Sequence, residues 1–220
     1  MAHNRIVVVA NGEIKDPQFI RGRIRADDFI LCADGGALHA LTMGFQPDLV
    51  VGDMDSLPPD VIGRLQGAGV EFLRFSAEKD QSDLELALQR AVTLAPAEIL
   101  LVGALGGVRF DQAFGNLMLL TIPLRAGIPV QMIDEQHRIY LLEKEIKVQG
   151  SPGETLSLFP LTAAAEGVTT EGLKYPLKGE TLYFASTRGL SNEFTGSSAL
   201  ITADRGLLLV IIYTNNPQRQ

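Results

Sequence analysis

The chain is predicted to be an α/β protein in two parts: an open, mainly parallel sheet with helices on both faces, then an all-β sandwich lobe. Three observations predict this. β-Branched runs alternate with amphipathic stretches through the first 135 residues, and the alternation stops near Gln136. Beyond it, short strands are separated by Gly, Pro, Ser and Asn with no helical pattern between them.

In the first part, the apolar runs at residues 5–10, 29–33, 48–52, 70–75, 98–103 and 129–134 have the length and β-branched content of buried strands. Between them, residues 36–43, 58–66, 82–94 and 112–125 have the pattern of helices. Strand, helix, strand, repeated, predicts a parallel sheet covered on both sides. In the second part, "HRIYLLE", "IKVQG", "ETLSLFPL", "EGVTTEG", "ETLYFAS", "SSALITA" and "GLLLVIIYT" are the expected strands. The last is apolar enough either to line an interface or to lie inside the sandwich. The expected division is residues 1–135 and 136–215, with a frayed tail "NNPQRQ".

Composition narrows the function classes. A chain of 220 residues with 46% hydrophobic and 20% charged content can bury a sizeable core. Its 19 basic and 26 acidic residues give a net charge of −7, and no Lys/Arg cluster stands out, which argues against a nucleic-acid partner but leaves room for a localised anion site. The one cysteine, Cys32, excludes a disulfide framework and a thiolate zinc site, and fits a reducing cytoplasm. The first apolar run is too short for a secretory signal, and no segment approaches the roughly 18 apolar residues of a membrane span. A cytoplasmic protein without a membrane partner is expected.

The chemistry concentrates where strands end. Asp34 follows the second strand, Asp53 and Asp55 the third, Lys79, Asp80 and Asp83 the fourth, and Arg109 and Asp111 the fifth. In an open α/β sheet these ends converge on the ligand-binding crevice. In "GDMDS" two carboxylates one residue apart can face one cation, and hard oxygens without nearby histidine or thiolate suit magnesium. The alternative for that stretch is a turn, or a helix N-cap by Asp55 or Ser56. In "EKDQSDLELAL", Ser82 and Glu85 form a capping-box pattern and Asp83 could complement the helix dipole. Capping gives no reason for Lys79 beside the acids, whereas a metal–phosphate site needs both signs. "GALGGVRFDQAFGN" supplies glycines, Arg109, and Asp111 at a helix start, where Asp111 is either a proton acceptor or an N-cap. His3, His39 and His137 are isolated and expected to pack or face solvent. No dinucleotide fingerprint, Walker loop or nucleophile elbow is present.

Together, "ADGGA", "PDLVVGDMDSL", "EKDQSDLELAL" and "GALGGVRFDQAFGN", followed by "TEGLKYPL" and "GLSNEFTG", resemble the thiamine pyrophosphokinase family, in the family's order and from about residue 30 to residue 196. The resemblance implies an N-terminal nucleotide- and metal-binding domain, a C-terminal thiamine-binding β-sandwich, and a homodimer with a shared active site. It further implies transfer of the terminal diphosphate of ATP to the hydroxyl of thiamine, with magnesium as the metal. The implied catalytic residues are Asp53, Asp55, Asp83 and Asp111, the first three also as metal ligands. Asp34, Gly35, Lys79, Arg109 and Gln112 are the implied ATP and phosphate contacts, and Tyr175, Ser191 and Asn192 the thiamine contacts. Two features depart from the family pattern: Val108 stands between the glycine pair and Arg109, and Gln112 stands where histidine is common. Rival readings are a pyrophosphokinase of the same fold acting on a hydroxymethyl pterin, a metal-dependent phosphohydrolase, and a nonenzymatic nucleotide sensor.

Overall fold

Six aliphatic runs form the strands of the first unit: β1 (Arg5–Val9), β2 (Phe29–Ala33), β3 (Leu49–Gly52), β4 (Glu71–Arg74), β5 (Glu98–Val102) and β6 (Val130–Ile133). They belong to a computed structural model that describes residues 3–214 and divides into two compact units between Glu135 and Gln136. The expected frayed tail, and the last residue of the expected second domain, lie outside the described residues.

All neighbouring strands of this unit are parallel, in the order β6-β5-β1-β2-β3-β4. The chain runs outward from β1 to β4, then returns to place β5 on the other side of β1. That reversal opens a crevice beyond the carboxyl ends of β1 and β5, where strands diverge toward opposite edges. Ile6 to Val9 of β1 are fully buried, as central strands of a doubly covered sheet must be. Cys32 in β2 is also fully buried, and burial pushes its thiol pKa above the ordinary value.

The helices are α1 (Pro17–Arg21), α2 (Gly36–Thr42), α3 (Pro59–Gly67), α4 (Asp83–Thr93), α5 (Phe110–Leu119) and α6 (Thr121–Arg125). Three differ from the sequence expectation. The short helix α1 was not anticipated, although Asp16 accepts the Phe19 N–H at 2.9 Å and Pro17 opens the helix, a legitimate start signal. The expected helix at 112–125 is two, because Pro123 has no N–H with which to continue the ladder to the Leu119 carbonyl. The helix after "GDMDS" starts at Pro59 with Pro58 at its N-cap and no side-chain cap, so neither Asp55 nor Ser56 caps it. Ser82 does cap α4, its Oγ accepting the Glu85 N–H at 3.2 Å. The Glu85 carboxylate meanwhile takes the side-chain amides of Gln81 and Gln89. α4 buries Leu84, Leu86, Ala87, Leu88 and Ala91, which anchors its first turn firmly over the sheet.

The second unit is antiparallel throughout. β7 (His137–Leu142), β8 (Glu145–Gln149), β9 (Thr155–Pro160), β10 (Ala164–Glu171), β11 (Glu180–Tyr183), β12 (Asn192–Glu193), β13 (Ser198–Thr202) and β14 (Leu208–Tyr213) form two layers. One is ordered β12-β9-β14-β7 and the other β11-β10-β13-β8. Leu156, Leu158, Val210 and Ile212 from the first meet Val148, Val168, Ala199 and Ile201 from the second in one core. β14 lies between β7 and β9 with four of its six residues buried, and Leu208, Val210 and Ile212 face the sandwich core. Among the described residues, no helix is long and apolar enough to cross a membrane.

The start of α2 depends on glycine. A Cβ on Gly36 would lie 2.0 Å from the Val9 carbonyl oxygen at the end of β1. Gly63 in α3 has nothing within 4 Å of that position. Gly36→Ala should therefore destabilise the protein by about 1–3 kcal/mol in urea unfolding. Gly63→Ala should stabilise it by about 0.5–1 kcal/mol.

Candidate active site

β2 delivers Asp34 to the crevice. Its backbone turns into the left-handed region (φ +43°) as the chain passes from strand to helix, a conformation aspartate tolerates better than most residues. The Asp34 N–H is held by the Val51 carbonyl at 2.8 Å, which fixes the side chain against the end of β3. Only 4% of the residue is exposed, and Oδ1 is buried without a hydrogen-bond partner. Burial raises its pKa, against the lowering effect of the Ser56 hydroxyl and the Gly35 N–H, and the nearby Asp83 and Asp55 charges raise it further.

β3 ends at Gly52, with φ +153°. A Cβ there would lie 3.0 Å from both Asp34 Cβ and Asp83 Oδ1, so the missing side chain is what lets two carboxylates approach. In the following loop Met54 is buried and takes φ +70°, anchoring the turn between Asp53 and Asp55. The Asp55 N–H donates to Asp53 Oδ1 at 3.1 Å, and Ser56 Oγ donates to Asp55 Oδ1 at 3.0 Å. The first of these bonds, with Lys79 adding, holds the Asp53 carboxyl below its ordinary pKa.

Asp83 opens α4 directly after its cap, and four residues earlier Lys79 folds back over it. Lys79 Nζ lies 2.9 Å from Asp83 Oδ1 and 3.6 Å from Asp53 Oδ2, and its pKa is raised chiefly by Asp83. One carboxylate oxygen each from Asp34, Asp53 and Asp83 lie within 4.8 Å of one another. Three hard oxygens, from residues that include the buried Asp34, match a small divalent cation.

These groups line a cleft of about 320 Å³ together with Asn11 and Gly12 beyond β1, Ser82, and Gln112 and Asn116 of α5. Gly35 does not line the cleft but packs behind Asn11: a Cβ on it would lie 2.4 Å from Asn11 Oδ1. Asn116 Nδ2 donates to the Ala104 carbonyl at 2.8 Å, tying α5 to the loop after β5. Asn11 and Asn116 were not anticipated; the signal available for Asn11 was its place immediately past the first strand, at the reversal point of the sheet.

Of the sequence-predicted residues, Asp34, Asp53, Asp55, Asp83 and Gln112 face the cleft, and Lys79 reaches it through its ion pairs. The trio that comes together includes Asp34 and leaves Asp55 at the wall. Arg109 and Asp111 do not line the cleft; they pair with each other at the exposed start of α5, Arg109 Nε donating to Asp111 Oδ1 at 2.8 Å. Arg109, not Asp111, is the N-cap residue of α5. The guanidinium holds the Asp111 carboxyl down at about 2, which makes it a weak base. Asp80 is exposed and outside the cleft. The histidines pack: His3 lies against Phe29 and His137 against Tyr213, while His39 is half-buried, burial lowering its pKa.

In the second unit, "GLKY" and "SNEFT" run antiparallel side by side. The Lys174 N–H donates to the Glu193 carbonyl at 2.9 Å, the Thr195 N–H to the Gly172 carbonyl at 3.0 Å, and Leu173 bridges Phe194. Asn192 Oδ1 accepts the Tyr175 N–H at 3.0 Å while its Nδ2 donates to the Tyr175 carbonyl at 2.7 Å. Its amide acts as a strand would, leaving the Tyr175 ring about half exposed, with Lys174 Nζ 5.4 Å from the ring centre. Ser191 is exposed at φ +59°, with its N–H on Ser157 Oγ at 3.1 Å.

The family described as "Thiamin pyrophosphokinase, catalytic domain" matches residues 21–132, and "Thiamin pyrophosphokinase, vitamin B1 binding domain" matches residues 137–208. A thiamine pyrophosphokinase of Bacillus subtilis is 31% identical over 184 residues, 83% of this chain and 86% of the relative. The crystal structure of thiamine pyrophosphokinase from Bacillus subtilis superposes with a TM-score of 0.86 at 28% identity, over 96% of this chain and 100% of that one. The thiamin pyrophosphokinase structure from Geobacillus thermodenitrificans does so with a TM-score of 0.83 at 30% identity, over 96% and 98%. With both family descriptions matched in order across its two units, the chain belongs to the thiamine pyrophosphokinase family.

Proposed function

We propose that this chain transfers the terminal diphosphate of ATP to the hydroxyl oxygen of thiamine, giving thiamine diphosphate and AMP. The observation that carries the reading is the cluster of Asp34, Asp53 and Asp83 with Lys79 at the sheet's reversal point, inside the segment matched by the family's catalytic domain. In the reaction the thiamine hydroxyl gives up its proton to solvent as its oxygen forms a bond to the β-phosphorus, the bond from that phosphorus to the α–β bridging oxygen breaks, and AMP departs with the electron pair.

Asp34, Asp53 and Asp83 would hold magnesium, with Asp55 at the edge of the set. Bound there, the metal supplies neutralisation of charge on the phosphate oxygens. Lys79 contributes a positive charge to the same region, Gln112 lines the wall that the triphosphate approaches, and Gly35 leaves room behind that wall for Asn11. Arg109 gives its Nε and Nη2 to Asp111, which leaves Nη1 to reach phosphate. In the second unit Tyr175 offers a ring face and Ser191 a hydroxyl to thiamine, and Asn192 holds Tyr175 in place. A homodimer with a shared site belongs to the same reading, supported by α5, which buries none of its residues and exposes Phe110 and Phe114. So does a cytoplasmic location, supported by a chain whose one thiol is buried.

The test is AMP formation from ATP and magnesium with thiamine present or absent, the organic product identified by mass. AMP that requires thiamine, with a product heavier by one diphosphate, is expected; AMP formed with a hydroxymethyl pterin instead, or with water alone, would replace this reading. Asp53→Asn and Asp83→Asn should each lower kcat by about 10²–10³-fold with circular dichroism unchanged.

Asp34→Asn separates function from stability. Because burial raises the Asp34 pKa in the folded state, the folded protein binds the proton more tightly than the unfolded chain, and stability falls as pH rises through that value. The metal-free Asn variant should therefore melt at a higher temperature than wild type at neutral pH, with the difference vanishing at acid pH, while activity is lost. For Asp111 the sign is opposite: a carboxyl held at about 2 should appear there in carboxyl NMR and move up toward its ordinary range in Arg109→Gln.

A further inference from the structure

Lys79 stands where a cation belongs. Its ammonium lies against two of the three carboxylates of the cleft, at 2.9 and 3.6 Å, and among the described residues these are its ion-pair partners. The side chains of Lys79 and Asp53 are each 16% exposed, so the pairing is shielded from water more than a surface bridge would be. A divalent ion placed among the same oxygens would sit beside a like charge. The two cations would have to share the oxygens of Asp53 and Asp83, and their mutual repulsion at that range weakens the binding of the ion.

The lysine is built to move. It lies between β4 and α4 in a stretch free of regular structure, where residues 75–78 are exposed, and the Lys79 N–H closes only a tight local turn onto the Ala77 carbonyl at 3.1 Å. Asp83, by contrast, is fixed by the capped and buried first turn of α4, and Asp53 by the buried Met54. When the carboxylates take another cation, the lysine is the partner that can leave.

We propose that Lys79 is a tethered counter-ion that competes with the divalent metal for Asp53 and Asp83, and that an incoming triphosphate draws it away, so that metal and nucleotide bind cooperatively. This rests on the diphosphotransferase reading of the same cleft. In the metal-free protein the ammonium offsets the mutual repulsion of the acids. With nucleotide present, the released ammonium pairs with phosphate oxygens, which favours its departure and strengthens both ligands. By linkage, the metal must raise nucleotide affinity by the same factor as the nucleotide raises metal affinity. The competition between lysine and metal is read in binding, separately from any effect of the ammonium on the rate.

The experiment is a manganese titration of the full metal-free chain, followed by electron paramagnetic resonance, with and without α,β-methylene ATP, whose α–β linkage cannot be cleaved. Lys79→Gln should bind manganese alone about tenfold more tightly than wild type, and the gain on adding nucleotide should shrink by a similar factor. Lys79→Arg, which keeps the charge, should resemble wild type. Circular dichroism establishes that each variant is folded, and Lys79→Met serves as a second neutral variant should Gln fail. Equal or weaker manganese binding by a folded neutral variant overturns the proposal while leaving the metal site intact. A wild-type protein that binds no manganese even with the nucleotide overturns the metal reading, and this inference with it.

Discussion

Three carboxylates that converge within 4.8 Å at the end of a buried parallel sheet repel one another, and the first unit depends on how that repulsion is contained. Each acid is held from a different direction: Asp34 by the sheet itself, through the Val51 carbonyl; Asp53 by a loop pinned on Met54; Asp83 by the capped first turn of α4. None of the three can relax away without disturbing buried structure, which is how strain at a site is sustained by stability elsewhere. The remaining freedom lies with the cations, Lys79 and whatever ion replaces it.

Much of this was legible along the chain because the signals are local. Six aliphatic runs became six parallel strands, and the change of pattern after the sixth coincides with the passage from parallel to antiparallel pairing. Placing Asp34, Asp53 and Asp83 at strand or helix ends needed only the punctuation of glycine and the alternation of elements. What was not legible is spatial. Which acid joins Asp53 and Asp83 depends on β2 lying beside β3, a matter of strand order, and on a left-handed residue that directs Asp34 inward. Asn11 enters the cleft because β5 returns beside β1. Asp111 looked like a cap or a base, yet the helix begins one residue earlier than it, and the adjacent Arg109 claims its charge; both outcomes turn on a helix boundary, the least readable feature of a pattern.

The second unit teaches a related lesson about polar residues near a proposed ligand. Asn192, expected as a contact for thiamine, spends its Oδ1 and one Nδ2 proton on the Tyr175 backbone and keeps its second Nδ2 proton. The energetic cost of leaving the first two groups unpaired makes it also a scaffold for the neighbouring ring. Sequence patterns name the residues of a site more readily than they assign which of them touch the ligand.

Cys32 carries a further consequence. It lies in β2, two residues before Asp34, fully buried, with a thiol made less acidic by its surroundings, so a water-borne alkylating reagent meets neither an accessible sulfur nor a thiolate while the sheet is closed. The chain thus carries a single internal clock: the rate at which that one sulfur is modified reports how often the strand beneath the acids is laid open. Because β2 is the strand that presents Asp34, any ligand that steadies the acids slows the clock, and occupancy of the cleft can be timed without turnover.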